Sequence, residues 1–189
     1  DAEESVIKYS SNTNLEGHWE MDENSGLVAG DSSGNSRNGA ISGASWVAGI
    51  VGSALSFDGV DDEVIVTGYK GISGSTPRTI AAWIKTSTTG VVAYWGRDAG
   101  GQKSTLRVQA NNPVNGSIRY EVDGGFVCGT TDLRDNQWHH VCAVLPDGAT
   151  DVNQVLLYVD GQLEAYGSTN SKTVNTGSLN DLKIGNEMI

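Results

Sequence analysis

Residues 105–109 and 118–122 alternate apolar side chains with charged or amide side chains. In a β-strand, such alternation places the two kinds of side chain on opposite faces of the sheet. The polar side chains could bind a sugar, because their planar groups make paired hydrogen bonds. The alternative is an ordinary solvated sheet face. The polar set comprises Arg107, Gln109, Arg119 and Glu121.

An aromatic pair, Tyr94 and Trp95, lies in a further strand-like stretch, and Arg97 follows it. An exposed aromatic ring offers a large apolar surface on which a sugar ring can stack. The sequence leaves open whether Trp95 forms such a platform or belongs to the core. As a platform, Tyr94, Trp95 and Arg97 would complete a glycan site with the polar set.

The histidines do not form a metal site of their own. His139 and His140 are neighbours in a strand-like stretch, so their rings point to opposite faces and cannot bind one ion together. His18 is the only other histidine. The spacing of serine, histidine and aspartate residues gives no support to a catalytic triad, and we expect no enzyme activity.

The net charge of −11 excludes some partners. Nucleic acids and anionic membranes need a basic surface, so we expect neither as a partner. No apolar stretch is long enough to insert into a membrane. The acidic residues either keep the protein soluble, or some of them bind a hard cation such as Ca²⁺, which prefers oxygen ligands.

The composition predicts one all-β domain. The 189 residues include 25 Gly and 3 Pro, and short Val, Ile and Leu runs alternate with turn residues. The clearest local signal is Asp160-Gly161, because both residues tolerate the positive φ of a two-residue hairpin turn.

Cys128 and Cys142 are the only cysteines. Both lie in strand-like stretches that follow one another along the chain. If these strands are antiparallel neighbours, the thiols come within range of a disulfide bond. Two buried free thiols are the alternative.

The sequence resembles the laminin-G-like domains of the concanavalin A-like lectin/glucanase superfamily over roughly residues 15–185. The motifs that carry the resemblance are Trp138-His139-His140-Val141, Leu157-Tyr158-Val159-Asp160-Gly161, Trp19-x-x-Asp22-x-x-x-Gly26, Phe57-Asp58-Gly59 and Thr79-Ile80-Ala81-Ala82-Trp83-Ile84-Lys85. The resemblance implies a two-sheet antiparallel β-sandwich, a concanavalin A-like jelly roll. It also implies that residues 15–22 form the first strand and that Trp19, Trp46, Trp83 and Trp138 are core aromatics.

The resemblance divides the chain into a domain at residues 15–189 and a segment at residues 1–14. The strand that usually closes these domains is missing at the C-terminal end, and residues 4–9 resemble it. The segment is therefore a tail, the closing strand of a permuted domain, or a sign that the chain is one unit of a tandem array. Another chain could also supply the strand.

Relatives in this superfamily hold a structural Ca²⁺ with oxygens from the turn after the first strand and a carboxylate from the closing strand. Here the matching residues are Asp31, Asn35 and Glu4. The alternative is that Asp31 only caps its turn. The glutamate pair of the superfamily's retaining glucanases has no counterpart in the sequence.

We therefore expect a non-catalytic, lectin-like module that binds a glycan or polysaccharide on one sheet face. It would belong to an exported or cell-surface protein, with further domains in a larger chain and Asp1 as a processed N-terminus. The alternative is an adhesion or spacer domain that binds protein.

Overall fold

The computed structural model describes residues 14–110 and 114–186. Short strands joined by tight turns make up this part of the chain, together with a 3₁₀ helix at Val152–Gln154 that Asp151 caps. The strands are β1 (Val28–Ala29), β2 (Gly39–Ser42), β3 (Ser45–Ala48), β4 (Ser53–Ser56), β5 (Glu63–Val66), β6 (Arg78–Lys85), β7 (Gly90–Gly96), β8 (Lys103–Val108), β9 (Ile118–Glu121), β10 (Phe126–Cys128), β11 (Trp138–Leu145), β12 (Leu156–Val159), β13 (Gln162–Leu163), β14 (Ser168–Asn170) and β15 (Asn180–Ile184).

Two antiparallel sheets pack face to face. The nine-stranded sheet has the order β1-β2-β5-β15-β7-β8-β9-β10-β14, and the four-stranded sheet has the order β13-β12-β11-β6. Strands β3 and β4 form a separate hairpin. This two-layer arrangement confirms the all-β sandwich expected from the sequence.

The largest core cluster fills the space between the two sheets. Leu106 and Ile118 enter it from the nine-stranded sheet, and Val141 and Leu157 enter it from the four-stranded sheet. All four side chains are buried. Each contributes roughly 1.5–3 kcal/mol relative to an exposed position, so the period-two pattern of these strands fixes which face of each sheet points inward.

The hairpin between β12 and β13 forms at Asp160-Gly161, as the sequence predicts. Asp160 has φ 49° and Gly161 has φ 77°, the two left-handed residues of a type I′ turn. The turn is anchored to β11, because the amide of Asp160 donates to the carbonyl of His140 at 2.8 Å. The Asp160 carboxylate accepts from the amide of His140 at 2.9 Å.

The predicted first strand at residues 15–22 is wrong. In this segment the structure has an isolated bridge between Trp19 and Asp31. Met21 has φ 60°, which interrupts an extended run. The Trp19 ring folds back over Gly17, where an added Cβ would lie 2.3 Å from the indole. The indole also donates to the Arg37 carbonyl at 2.8 Å.

The expectation that Trp83 is a core aromatic is also wrong. Ile80, Ala82 and Ile84 pack against the core, so the period of two places Trp83 on the outer face of β6, where it is 51% exposed. Its ring meets the His140 ring edge-on, with centroids 5.3 Å apart. Trp138 lies partly buried on the same outer face, so the expectation is wrong for Trp138 as well. Trp19 and Trp46 pack against core residues, as expected.

The predicted disulfide bond between Cys128 and Cys142 is wrong, because both thiols are free. Cys128 lies in β10 of the nine-stranded sheet, and Cys142 lies in β11 of the four-stranded sheet. Val127 and Val141 face the core, so both cysteines point away from it. A disulfide bond requires Cα atoms within about 7 Å, whereas stacked sheets lie about 10 Å apart.

The proposed closing strand at residues 4–9 lies outside the described residues, as does most of the segment at residues 1–14. Its role stays a prediction, and so does the domain boundary at residue 15.

Candidate functional site

The polar residues predicted from the sequence come together on the outer side of the nine-stranded sheet. Strands β8 and β9 are neighbours, and Arg107 lies directly opposite Arg119. Leu106 and Ile118 point into the core, as the alternation predicts. We call six outward residues of this region the polar face: Lys103, Arg107, Gln109, Arg119, Glu121 and Phe126. Thr105 also points outward, between Lys103 and Arg107, and is buried.

Glu121 lies at the centre of an ion-pair network on the polar face. One carboxylate oxygen is 2.8 Å from Lys103 Nζ, and the other is 2.8 Å from Arg119 Nη2. All three side chains are less than 15% exposed. Burial opposes ionisation of Glu121, but the hydrogen bond from Lys103 and the charges of Arg119, Lys103 and Arg107 outweigh it and lower the pKa.

Several contacts fix the position of the Arg119 side chain. Its guanidinium stacks on the Phe126 ring at 3.9 Å and donates to Gln109 Oε1 at 3.3 Å. Its Nε is buried without a hydrogen-bond partner in the described part of the chain. Packing and hydrogen bonds therefore fix the guanidinium plane, and Lys103 and Gln109 of the same polar face are buried.

Trp95 is not the exposed platform considered from the sequence. Only 3% of it is exposed, and it packs with Val66 and Leu182. Its indole donates to the Ile72 carbonyl at 3.0 Å. Trp95 follows Tyr94 in β7, so the two side chains point to opposite faces, and Trp95 is the one that faces the core.

Tyr94 is buried too, but its hydroxyl joins the polar network. The hydroxyl accepts a hydrogen bond from Asn180 Nδ2 at 2.7 Å and donates to Asp98 Oδ2 at 3.4 Å. Asp98 Oδ1 lies 3.7 Å from Lys103 Nζ. Tyr94 therefore supports the site through hydrogen bonds and does not offer its ring for stacking.

Arg97 lines an open pocket beside the polar face. The pocket lies where the turn between β7 and β8 meets the segment before β15, and its lining residues are Arg97, Gln102, Gly177, Ser178 and Leu179. The amides of Arg97 and Gly177 both donate to the Gln102 carbonyl at 2.9 Å, which fixes this turn. A Cβ at Gly177 would come within 3.2 Å of the Arg97 Cβ, so glycine allows the close approach of the two walls.

The Asp31 carboxylate is hydrogen-bonded to several groups of its own turn. Its carboxylate accepts from the amides of His18, Ser33 and Arg37 and from the Ser33 hydroxyl, all within 3.0 Å. These bonds outweigh the opposing effect of burial and lower the pKa of Asp31 to about 2. A carboxylate has about four lone-pair positions, and the turn occupies all of them.

Asn35 lies beside this turn, and its amide nitrogen donates to the Leu15 carbonyl at 2.8 Å. Glu4, the third predicted ligand, lies outside the described residues. The predicted calcium site at Asp31, Asn35 and Glu4 therefore stays a prediction.

Three further carboxylates, Asp58, Asp61 and Asp62, offer oxygens within 4.8 Å of one another among the described residues. Asp58 Oδ1 accepts from the amides of Val60 and Asp61, and Asp62 Oδ2 accepts from the amide of Asp58. These hydrogen bonds show how the carboxylates cap the turn between β4 and β5.

The sequence-based set missed Lys103 and Phe126. Lys103 continues the alternation of β8 two residues before Thr105, so a longer reading of the same pattern would have included it. Phe126 lies opposite Glu121 in the neighbouring strand. That pairing is not encoded in a local pattern.

Comparison with known proteins agrees with this architecture. Residues 58–188 match the laminin-G-like family model of the concanavalin A-like lectin/glucanases superfamily. The chain belongs to this superfamily. The resemblance seen in the sequence is thus confirmed over more than half of the chain, which includes the polar face of this concanavalin A-like domain.

Two solved structures are similar to this concanavalin A-like domain. One is domain 4 of AbnA, a GH43 extracellular arabinanase from Geobacillus stearothermophilus, in complex with arabinotriose. It has a TM-score of 0.66 at 19% identity, covering 89% of this chain and 81% of that one. The other is domains LG4-5 of the mouse laminin α1 chain, with a TM-score of 0.45 at 17% identity, covering 65% of this chain and 30% of that one.

At such identities, the arabinanase domain supports the fold alone. The comparison with curated proteins gave no match. No helix among residues 14–110 and 114–186 is long and apolar enough to cross a membrane.

Proposed function

We propose that this concanavalin A-like domain is a non-catalytic carbohydrate-binding module of an exported or cell-surface protein. It binds a glycan on the polar face and in the adjoining pocket at Arg97. The observation that carries the proposal is the fixed network around Glu121, in which planar hydrogen-bonding groups lie beside an open pocket. The similar fold of the arabinanase domain in complex with arabinotriose adds support.

The network suits sugar binding because its groups need little reorganisation. Arg119 is stacked on Phe126, and Gln109 is bonded to Arg119. A ligand that meets fixed side chains loses less of its binding free energy to ordering them. The pocket adds Gln102 and Ser178 as polar groups and Leu179, which is largely exposed, as an apolar surface.

The charge state of Glu121 argues for binding without catalysis. A retaining glycosidase needs two carboxyl groups about 5 Å apart, and one of them must be a general acid with a raised pKa. The pKa of Glu121 is lowered, and Lys103 and Arg119 occupy both of its oxygens. Glu121 is therefore suited to orienting cations, not to donating a proton.

A glycan-array screen followed by calorimetric titration tests the proposal. For any glycan that binds, Arg97→Ala should weaken the affinity about tenfold or more, because a hydrogen bond to a charged group is lost. The melting temperature should hardly change, since Arg97 borders an open pocket. Trp83→Ala, which removes an exposed side chain from the other sheet, is the matched control and should leave the affinity unchanged.

Two results would contradict the proposal. A screen without any bound glycan would remove the carbohydrate function. Loss of binding in Trp83→Ala, with normal binding in Arg97→Ala, would move the site to the four-stranded sheet.

A second function is an adhesion or spacer domain that binds protein. It is favoured by the exposure of Trp83 and Leu163 on the four-stranded sheet, at 51% and 59%. Large exposed apolar side chains are typical of protein-binding surfaces. In that case Trp83→Ala should weaken partner binding, and Arg97→Ala should not.

Calcium binding at the Asp31 turn stays a prediction. It would require Asp31 to exchange hydrogen bonds of its turn for the ion. A higher melting temperature in saturating Ca²⁺, reversed by a chelator, would support it.

A further inference from the structure

Strand β6 gives the four-stranded sheet one long edge. The other three edge strands are short, because β1 and β13 have two residues each and β14 has three, whereas β6 has eight. One side of β6 pairs with β11 over its full length, and no strand of the described residues pairs with the other side. Natural edge strands are short, bulged, charged or carry proline, since their unpaired N–H and C=O groups attract other extended chains. Strand β6 has a continuous register, no proline and one exposed charge, Lys85, so its edge has the features of a strand acceptor.

The core is incompletely covered beside this edge. Ile80 and Ile84 point inward from β6 and are only partly buried. In contrast, Val141 of β11 and Leu157 of β12 are fully buried on the same inner face. Ile184, from the facing sheet, is also partly buried although it packs against two core clusters. A seam of apolar side chains therefore opens where the four-stranded sheet stops.

The seam fits a single strand. The nine-stranded sheet continues past β6 to β2 and β1, and the β3–β4 hairpin covers that part, where Trp46 and Leu55 pack against Ile41 and Val64. The seam thus has β6 on one side and the hairpin on the other. A second sandwich that approached β6 edge to edge would meet the hairpin, whereas one extended strand widens the sheet by only about 4.8 Å.

The N-terminal part of this chain has the length and residue types of such a strand. Of the segments outside the described residues, 111–113 and 187–189 have three residues each, so only residues 1–13 can pair along most of β6. Residues 4–9 contain Val6, Ile7 and Tyr9, which are residue types that favour strands. In an extended segment, Ile7 and Tyr9 share one face, as residues that cover an apolar seam must.

The described chain also begins close to β6. A carboxylate oxygen of Glu16 lies 3.5 Å from the Tyr69 hydroxyl, and Tyr69 packs against the same core cluster as Ile80 of β6. The six intervening residues, 10–15, span about 20 Å when extended. A segment tethered within this reach has a high effective concentration at the edge, which favours the chain's own segment over that of another molecule.

We propose that residues 4–9 bind the edge of β6 within the same molecule and form the fifth strand of this sheet. The strand would pair with the backbone of β6 and cover Ile80, Ile84 and Ile184. It lies on the sheet opposite the polar face, so its binding does not depend on the carbohydrate function.

NMR-detected hydrogen exchange of the full chain tests the proposal. Alternate amides of β6 point away from β11, and without a further partner they would exchange as solvent-exposed amides do. In the wild type they should exchange about tenfold or more slowly than that. Ile7→Pro removes an N–H group from the proposed strand and should restore fast exchange at these amides, while the amides bonded to β11 stay protected. Asn12→Pro, in the linking residues, is the matched control and should leave the protection unchanged.

Fast exchange of these amides in the wild type would overturn the proposal, whether or not the variants fold. Protection that persists in a folded Ile7→Pro would also overturn it, because another group would then cover the edge. Light scattering identifies the source of the strand. A dimer that dissociates in Ile7→Pro would mean a strand from a second copy and would overturn pairing within one molecule. A monomeric wild type with protected amides supports the proposal even if Ile7→Pro does not fold, since no other segment outside the described residues is long enough.

Discussion

His139 joins three parts of the four-stranded sheet through one imidazole ring. Its Nδ1 lies 2.8 Å from Asp160 in the β12–β13 turn, and its Nε2 lies 3.2 Å from Asp135 before β11. The hydrogen bond that the ring donates to Asp160, and then the one it donates to Asp135, outweigh partial burial and raise the pKa of His139. The pKa of Asp160 is lowered chiefly by its hydrogen bond with His139, and that of Asp135 chiefly by the hydrogen bond from the amide of Gln137, to which His139 adds. The folded state therefore favours the charged form of all three groups.

These shifts predict how stability depends on pH. Because the pKa of His139 is raised, its stabilising effect is complete below its ordinary pKa of about 6.5 and is lost as pH rises through the folded value. The aspartates act in the opposite direction, and their contribution is lost as pH falls through their lowered pKa values. The contribution of this cluster should therefore be largest between the ordinary pKa values of aspartate and histidine.

Denaturant unfolding of the wild type and His139→Gln across this range measures the effect. The difference in unfolding free energy between the two proteins should shrink as pH rises above neutrality. His18→Gln, at an exposed ring, is the control. A difference that is constant with pH would show that His139 acts by packing alone.

Local sequence patterns determine several strands of this fold closely. The hairpin turns at Asp160-Gly161, as predicted, because turn chemistry acts within a few residues. The polar set of β8 and β9 was also predictable, because the alternation places Arg107 and Arg119 on the face of the sheet that points away from the core. The missing member, Lys103, belongs to the same pattern.

Contacts between distant segments were not predictable in this way. Cys128 and Cys142 lie in β10 and β11, which follow one another along the chain, but these two strands belong to different sheets. Trp95 lies in a stretch that the sequence predicts to be a strand. Only the order of the strands in the sheet shows which face of β7 packs against Val66 and Leu182. The resemblance to a family also failed at Trp83, where the alternation of β6 itself places the ring outside.

The placement of the cysteines predicts their reactivity. Burial raises the pKa of both thiols and so lowers the fraction of reactive thiolate. Cys142 is partly exposed on the outer face of β11, whereas Cys128 is buried. Under native, non-reducing conditions, mass spectrometry after iodoacetamide treatment should find Cys142 alkylated slowly and Cys128 only after unfolding. A peptide pair linked through both cysteines would contradict the placement of their strands in separate sheets.

At the scale of the whole molecule, added salt should stabilise the fold. The net charge of −11 makes the folded chain repel itself. The Debye length falls from about 30 Å at 0.01 M salt to about 8 Å at 0.15 M, so salt screens this long-range repulsion and should raise the melting temperature. The pair Lys103–Glu121 is buried and is screened less.

Thermal melting of the wild type at salt concentrations from about 0.01 M to about 0.15 M measures this effect. Lys85→Gln removes a positive charge from an exposed position and makes the net charge more negative. It should therefore melt below the wild type at low salt and approach the wild type at high salt. A melting temperature that falls as salt rises would show that attractive pairs such as Lys103–Glu121, and not the repulsion of the net charge, dominate the electrostatic part of stability.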